Sequence, residues 1–146
     1  VRRPKCLGLV LLTIGAMRVF SIDVSGAAAA ARRSPDRGGA PAQPAADYIA
    51  FLGEIARAPY PVAIAAMWAV EAAYLEAWRG ALGGSETYAA VIRHWANDQF
   101  ATFVDRLTRA ADRELLAAPS RQKDAEDAFK CVLEHESAFW AIGRSA

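Results

Sequence analysis

Two glutamates occupy helix positions at which the surrounding residues are apolar. Residues spaced at i, i+3, i+4 and i+7 share one face of a helix, and Glu71 and Glu136 are each the polar member of such a face. The apolar members are Ile64, Met67, Trp68, Leu75 and Trp78 around the first, and Phe129, Val132, Leu133 and Trp140 around the second. Burial disfavours the charged form of a carboxyl group, so a buried glutamate can serve as a general acid or base near neutral pH. The two residues predict acid–base chemistry, with a hydrogen-bonded or ion-paired structural glutamate as the alternative for each.

Aromatic residues flank both glutamates along the sequence. They are Trp68, Tyr74, Trp95, Phe139 and Trp140. Binding sites for small molecules are mostly apolar, with a few polar groups that carry the chemistry. Together these residues predict an aromatic pocket with a polar floor.

The histidines and cysteines do not form a recognised metal or redox motif. A di-iron bundle needs Glu-x-x-His, and neither His94 nor His135 has a glutamate three residues before it. Cys131 and His135 stand at i, i+4, but no third partner for a nucleophilic or metal site is at hand. Cys6 and Cys131 show no CxxC spacing. No metal and no cofactor are predicted.

Five helices are predicted to position these residues. Asp47 and Asn97 are suitable N-cap residues, and prolines and glycines separate the apolar runs. The predicted helices run from Asp47 to before Pro59, from Val62 to Arg79, from a Ser85 cap to Trp95, from Asn97 to before Pro119, and from Ser120 through Trp140. No strand pattern appears, so the predicted fold class is all-α, a helical bundle.

The Val62–Arg79 helix has apolar residues on nearly every face, so it is predicted to lie buried in the bundle. A membrane span is the competing interpretation. Glu71 near the middle and Glu76 beyond it would each cost about 2.5 kcal/mol or more in lipid. The sequence therefore favours a soluble protein that does not contact a membrane.

Charge divides the 146-residue chain into two segments. Residues 1–46 carry a net charge of +5 and the remainder −4. Residues 1–42 form a separate N-terminal segment and linker, in which Cys6–Met17 is apolar but shorter than the about 20 residues of a membrane span. That segment has features of a secretory signal and of a transit peptide, and a third interpretation is sequence upstream of the true start, so targeting is the alternative to the expected cytoplasmic location. The acidic residues 43–146 offer no basic face for a phosphate backbone, which argues against nucleic acid as a partner.

Three short stretches carry a resemblance to a known family. They are Tyr74-Leu-Glu76 in an apolar helix, His94-Trp-Ala-Asn-Asp-Gln-Phe100, and Glu134-His-Glu-Ser-Ala-Phe-Trp140, in that order. From about Gln43 onward the sequence resembles the TenA/THI-4 (thiaminase II-like) family, most of all its plant-type branch, which lacks the nucleophilic cysteine. The resemblance implies an all-helical bundle like the C-terminal half of a heme-oxygenase-like fold, and a homo-oligomer. The N-terminal half of the family fold, which holds the pyrimidine-binding aspartate, has no match in this sequence.

The resemblance also implies a reaction. Members of the family hydrolyse C–N bonds of aminopyrimidines derived from degraded thiamine, and the plant-type branch is associated with removing formyl and amino groups from the aminomethyl-pyrimidine. By position, Glu136 resembles the family's acid/base glutamate and Tyr74 the tyrosine that lines the pyrimidine site. Val70 stands where bacterial members have their cysteine, with Glu71 next along. Trp95 stands where many members have a tyrosine that contacts the ring.

The sequence and the resemblance together predict an aminopyrimidine aminohydrolase or deformylase of thiamine salvage. Glu71 is expected to activate water, and Glu136 is expected to protonate the departing amine. The expected substrate contacts are Tyr74, Trp95, Phe139 and Trp68. The alternative is a truncated, non-catalytic helical binding or interaction module, which would bind an aminopyrimidine without turning it over.

Overall fold

A computed structural model describes residues 41–84 and 86–142 of the chain. Within these residues there are five α-helices: α1 (Gln43–Ile55), α2 (Tyr60–Gly80), α3 (Ala89–Trp95), α4 (Asp98–Ala117) and α5 (Gln122–Ile142). Short 3₁₀ turns, Glu86–Tyr88 and Pro119–Arg121, precede α3 and α5. No strand occurs in this part of the chain, so the predicted all-α fold is confirmed. Residues 1–40, which hold most of the predicted N-terminal segment, and the predicted Ser85 cap lie outside the described residues.

The first helix begins earlier than the sequence pattern predicted. Ala42 precedes its first residue, and Pro44 lies in the first turn, where the fixed φ of proline suits a helix and its missing N–H is not needed. Asp47, predicted as the N-cap, instead lies within the helix and accepts a hydrogen bond from Gln43 Nε2 at 2.6 Å. The predicted cap was therefore wrong, because the proline starts the helix one turn upstream.

The α2 helix lies at the centre of the bundle. It packs against α4 on one side and α5 on another, while α1 packs mainly against α5. Alanines allow close approach, and Ala66 and Ala69 are fully buried against Val132 of α5. The prediction that this apolar helix lies inside a bundle is confirmed. No helix in the described part of the chain combines the length and apolar content needed to cross a bilayer.

The α4 helix begins at the predicted cap. Asn97 Oδ1 accepts a hydrogen bond from the Phe100 backbone N–H at 2.8 Å, and Asn97 Nδ2 donates to the His94 carbonyl at the end of α3. One side chain thus satisfies a free N–H of α4 and fixes the turn from α3. The buried residues of α4 are Val104, Leu107, Ala111 and Leu115, whereas Phe103 is exposed and stacks on Phe100.

Candidate active site

Glu136 is held inside the bundle with a hydrogen-bond donor on each carboxylate oxygen. Its side chain lies on α5 and is only 4% exposed. The Tyr48 hydroxyl donates to Oε1 at 2.5 Å, and Trp140 Nε1 donates to Oε2 at 2.7 Å. A buried carboxylate without partners would be costly, so this arrangement accounts for how the fold tolerates it.

The two donors reach Glu136 by different routes. Trp140 stands four residues on, one helical turn along α5, so local geometry brings its indole N–H to the carboxylate. Tyr48 comes from α1, 88 positions away in the chain, and depends on the packing of α1 against α5. Burial, the bond to Glu136 and the nearby carboxylate charges raise the pKa of Tyr48 far above its ordinary value, so the phenol remains neutral and able to donate.

Glu71 is the second carboxylate of the site. It lies half-buried on α2, where burial and then the charge of Glu136 raise its pKa above the ordinary 4.5. Burial also raises the pKa of Glu136, although the bonds from Tyr48 and Trp140 oppose that rise. No group in the described part of the chain donates a hydrogen bond to Glu71. The bonds from Tyr48 and Trp140 therefore favour the charged form of Glu136, and that charge favours a proton on Glu71.

A cluster of aromatic rings adjoins the carboxylates. Tyr74 lies at its centre, with ring centroids 5.7 Å from Trp95, 5.8 Å from Trp78 and 5.9 Å from Trp140. Phe139 meets the edge of Trp140 at 5.7 Å. Trp95 and Phe139 are 36% and 39% exposed, so part of the cluster is open to solvent.

Trp68, the remaining predicted substrate contact, lies apart from this cluster. It stacks on Phe129 with ring centroids 6.0 Å apart and packs against the buried side chains between α2, α4 and α5. No ring contact joins it to the Tyr74 cluster within the described residues. Its surroundings are those of a core residue.

Three further features of the site were not foreseen from the sequence. Tyr48 is not among the predicted site residues, although a tyrosine hydroxyl is a polar group that needs a partner when buried. The indole N–H of Trp140 was not recognised as a donor. His135, considered beside Cys131 for metal or nucleophilic chemistry, stacks instead on the rings of Tyr48 and Phe51.

The described residues contain no cluster of metal ligands, since no three His, Cys, Asp or Glu side chains come together there. A cleft of about 170 Å³ lies between the end of α2 and α3, and none of the predicted site residues lines it. Its lining residues are Leu82, Gly83, Gly84, Glu86, Ala89, Ile92 and Arg93.

Comparison with known proteins decides the family. The sequence profile of the TENA/THI-4/PQQC family matches residues 38–146. The chain belongs to this family. The predicted resemblance is thus confirmed, and the helical bundle agrees with the helical fold that it implied.

Among curated proteins, the chain is similar to a probable bifunctional TENA-E protein of Glycine max. The two are 36% identical over 93 residues, which make up 60% of this chain and 40% of the relative. The chain therefore covers less than half the length of that relative. No solved structure was found to match the chain.

Proposed function

We propose that this chain is part of an aminopyrimidine hydrolase of thiamine salvage that uses glutamates rather than a cysteine. Membership of the TENA/THI-4/PQQC family supports the substrate class. The observation that carries the proposal is Glu136, buried with a donor on each oxygen and paired electrostatically with Glu71. In such a pair the charge of one member favours a proton on the other, which is the arrangement that an acid–base hydrolysis needs.

The reaction proposed is the addition of water across a C–N bond. For the aminomethyl-pyrimidine, the water oxygen bonds to the exocyclic methylene carbon, the C–N bond breaks, and the nitrogen leaves as ammonia. For the formyl derivative, water bonds to the formyl carbon, and its C–N bond breaks to give the amine and formate. Neither reaction needs an oxidant or a cofactor.

The hydrogen bonds favour a division of roles between the two carboxylates that differs from the one predicted from the sequence. Glu136 is stabilised as the charged member, so it takes the proton from the attacking water. Glu71 has no donor in the described residues and lies beside that charge, so it holds the proton and delivers it to the departing nitrogen. After this step Glu136 is protonated and Glu71 is charged. Proton transfer from Glu136 to Glu71, directly or through water, restores the starting form.

The aromatic cluster provides the surface on which a flat pyrimidine would bind. Tyr74, Trp95 and Phe139 are the members we assign to substrate contact, because the last two are partly open to solvent. Tyr74 and Phe139 contact Trp140, a donor to Glu136, and Trp95 joins the cluster through Tyr74. Stacked or edge-on aromatic contacts suit a planar heterocycle. We assign Trp68 to the hydrophobic core rather than to substrate contact.

The experiment that tests the proposal is a hydrolysis assay on the purified chain. The aminomethyl-pyrimidine and its formyl derivative are supplied separately, and mass spectrometry follows the hydroxymethyl-pyrimidine or the free amine, with ammonia or formate measured in parallel. Glu136→Gln and Glu71→Gln are each expected to lower turnover about 10²-fold or more, the usual contribution of a general acid or base. Helix content should not change, because glutamine can still accept from Trp140 and donate to Tyr48.

Matched controls are available on the same two helices. Glu134 of α5 and Glu76 of α2 are exposed, so Glu134→Gln and Glu76→Gln should leave turnover unchanged. Binding of the aminopyrimidine, followed by tryptophan fluorescence, without turnover in the unaltered chain would instead support a non-catalytic binding module. An equal loss of turnover in Glu134→Gln and Glu76→Gln would show that Glu136 and Glu71 have no special role in the reaction.

A further inference from the structure

His135 lies against two aromatic rings of the neighbouring helix. Its ring centroid is 5.4 Å from that of Tyr48, with the planes 2° apart, and 4.7 Å from that of Phe51, with the planes 26° apart. Tyr48 and Phe51 stand three residues apart on α1, so they belong to the same face of that helix. His135 is thus a residue of α5 that contacts both rings.

The position of the Tyr48 hydroxyl depends on how α1 lies on α5. Tyr48 is the one buried residue of α1, and α1 packs mainly against α5. A tyrosine hydroxyl lies on the long axis of its ring. The orientation of the Tyr48 ring on the His135 ring, and the offset between the two rings, therefore decide where the hydroxyl points. The edge of Phe139 meets the same ring at 6.3 Å.

His135 has no other observed polar role. It makes no hydrogen bond or ion pair with the described residues, the two carboxylates included. Its ring contacts are therefore the means by which it can influence the site.

We propose that His135 is a positioning residue, whose imidazole stacks on Tyr48 and holds the phenol hydroxyl on Oε1 of Glu136. It acts through Tyr48 and takes no part in proton transfer. The effect on turnover rests on the function proposed above, but the hydrogen bond itself can be tested without substrate.

The test measures the pKa of Glu136 by carboxyl-carbon NMR on the full chain. Tyr48→Phe removes the hydroxyl that favours the charged form, so it should raise the pKa of Glu136. His135→Leu keeps a similar volume but removes the flat ring, and it should raise that pKa in the same direction. His135→Phe keeps a flat ring and should leave the pKa as in the unaltered chain.

A double variant separates positioning from general loosening. In the Tyr48→Phe background, His135→Leu should produce no further rise, because the hydroxyl through which it acts is absent. Leu107→Ala, in a buried cluster that includes none of the stacked rings, should lower the melting temperature and leave the pKa of Glu136 unchanged. An unchanged pKa in His135→Leu, or the same rise with and without the Tyr48 hydroxyl, would overturn the proposal.

Two further arms keep the test decisive. If His135→Leu does not fold, Phe51→Leu removes the other ring from the stack and should raise the pKa of Glu136 to a lesser degree; no rise there overturns the proposal. Where the unaltered chain is active, His135→Leu should lower kcat roughly tenfold, the effect of losing a hydrogen bond to a charged group, and His135→Phe should restore it. Absence of turnover in the unaltered chain counts against the proposed function alone, since the NMR arms still decide the role of His135.

Discussion

At the scale of single residues, the site depends on how each carboxylate is solvated. Glu136 exchanges water for two protein donors, and Glu71 has lost water without gaining a donor from the described residues. Desolvation raises the pKa of both carboxyl groups, and the charge of Glu136 raises that of Glu71 further. A proton therefore stays on the pair at a higher pH than on an ordinary carboxyl group. The same physics that makes the pair useful for proton transfer makes it costly for stability.

A first prediction compares two tryptophans of one ring cluster. Trp140→Phe removes the N–H that donates to Glu136, whereas the indole N–H of Trp78 is buried with no hydrogen-bond partner. Both variants lose a similar volume of aromatic ring. Near pH 7, Trp140→Phe should lower the free energy of unfolding by about 1.5 kcal/mol or more beyond the loss in Trp78→Phe. Urea unfolding measures both, and equal losses would show that the bond to Glu136 contributes nothing.

A second prediction concerns pH. The folded pKa of Glu71 lies above the ordinary 4.5 that it regains on unfolding. Between these values the folded protein holds more protons than the unfolded chain. The contribution of Glu71 to stability is therefore complete below about pH 4.5 and declines as pH rises through the folded pKa.

Glu71→Gln should flatten this decline, and exposed Glu76→Gln should keep it. Urea unfolding at several pH values from about 4 to 8 measures the slope of stability against pH. A slope that is identical in the unaltered chain and in Glu71→Gln would contradict the raised pKa.

At the scale of helices, the turn between α3 and α4 connects a cap to the site. Asn97 caps α4 and donates to the His94 carbonyl, and the next residue after His94 is Trp95, which meets Tyr74 edge-on. The cap thus fixes both the start of one helix and the placement of a proposed substrate contact. In the same way, the packing of α1 against α5 positions Tyr48 beside Glu136.

A third prediction tests that turn. Asn97→Ala should lower the free energy of unfolding by about 1 kcal/mol, because an N–H of α4 loses its acceptor. Tryptophan fluorescence should also shift toward that of a more exposed Trp95. Gln99→Ala, an exposed change in the same first turn, serves as the control and should alter neither measurement. Loss of stability without any fluorescence change would show that Asn97 stabilises α4 but does not position Trp95.

At the scale of the molecule, several large apolar side chains remain exposed. In the described residues these include Ile49, Leu52, Tyr60, Met67, Leu82, Val91, Phe103 and Leu116, besides Trp95 and Phe139 of the site. Single exposed apolar residues are ordinary, but Ile49 and Leu52 share one outward face of α1. We propose on this basis that copies of the chain associate, as expected of a homo-oligomer.

The fourth prediction tests this association. Light scattering after size-exclusion chromatography should show a mass that rises with protein concentration. Ile49 is 65% exposed, so Ile49→Lys should reduce the association without loss of helix content. The control is Ala50→Lys, an exposed position beside it that adds the same charge without removing a large apolar group. A monomer at every concentration, with a sharp thermal transition, would contradict this prediction.

The sequence by itself determined the helices and the identity of the buried carboxylates. Helical periodicity is local, so it placed Glu71 and Glu136 on apolar faces, and Asn97 as a cap follows from one residue and the run after it. The family was also accessible, because its short motifs lie in fixed order along the chain. The Asp47 cap was predicted wrongly, since Pro44 supplies a competing start signal in the preceding turn.

Tertiary structure alone decided which side chains meet. Tyr48 reaches Glu136 across 88 positions, and a periodic pattern indicates which face of α1 is buried but not which helix that face packs on. Trp68 and Tyr74 share one helix, yet the first packs in the core with Phe129 and the second joins Trp95 and Trp140. The pKa values of the two carboxylates also depend on this packing, because burial raises both, the charge of Glu136 raises that of Glu71, and the bonds from Tyr48 and Trp140 lower that of Glu136.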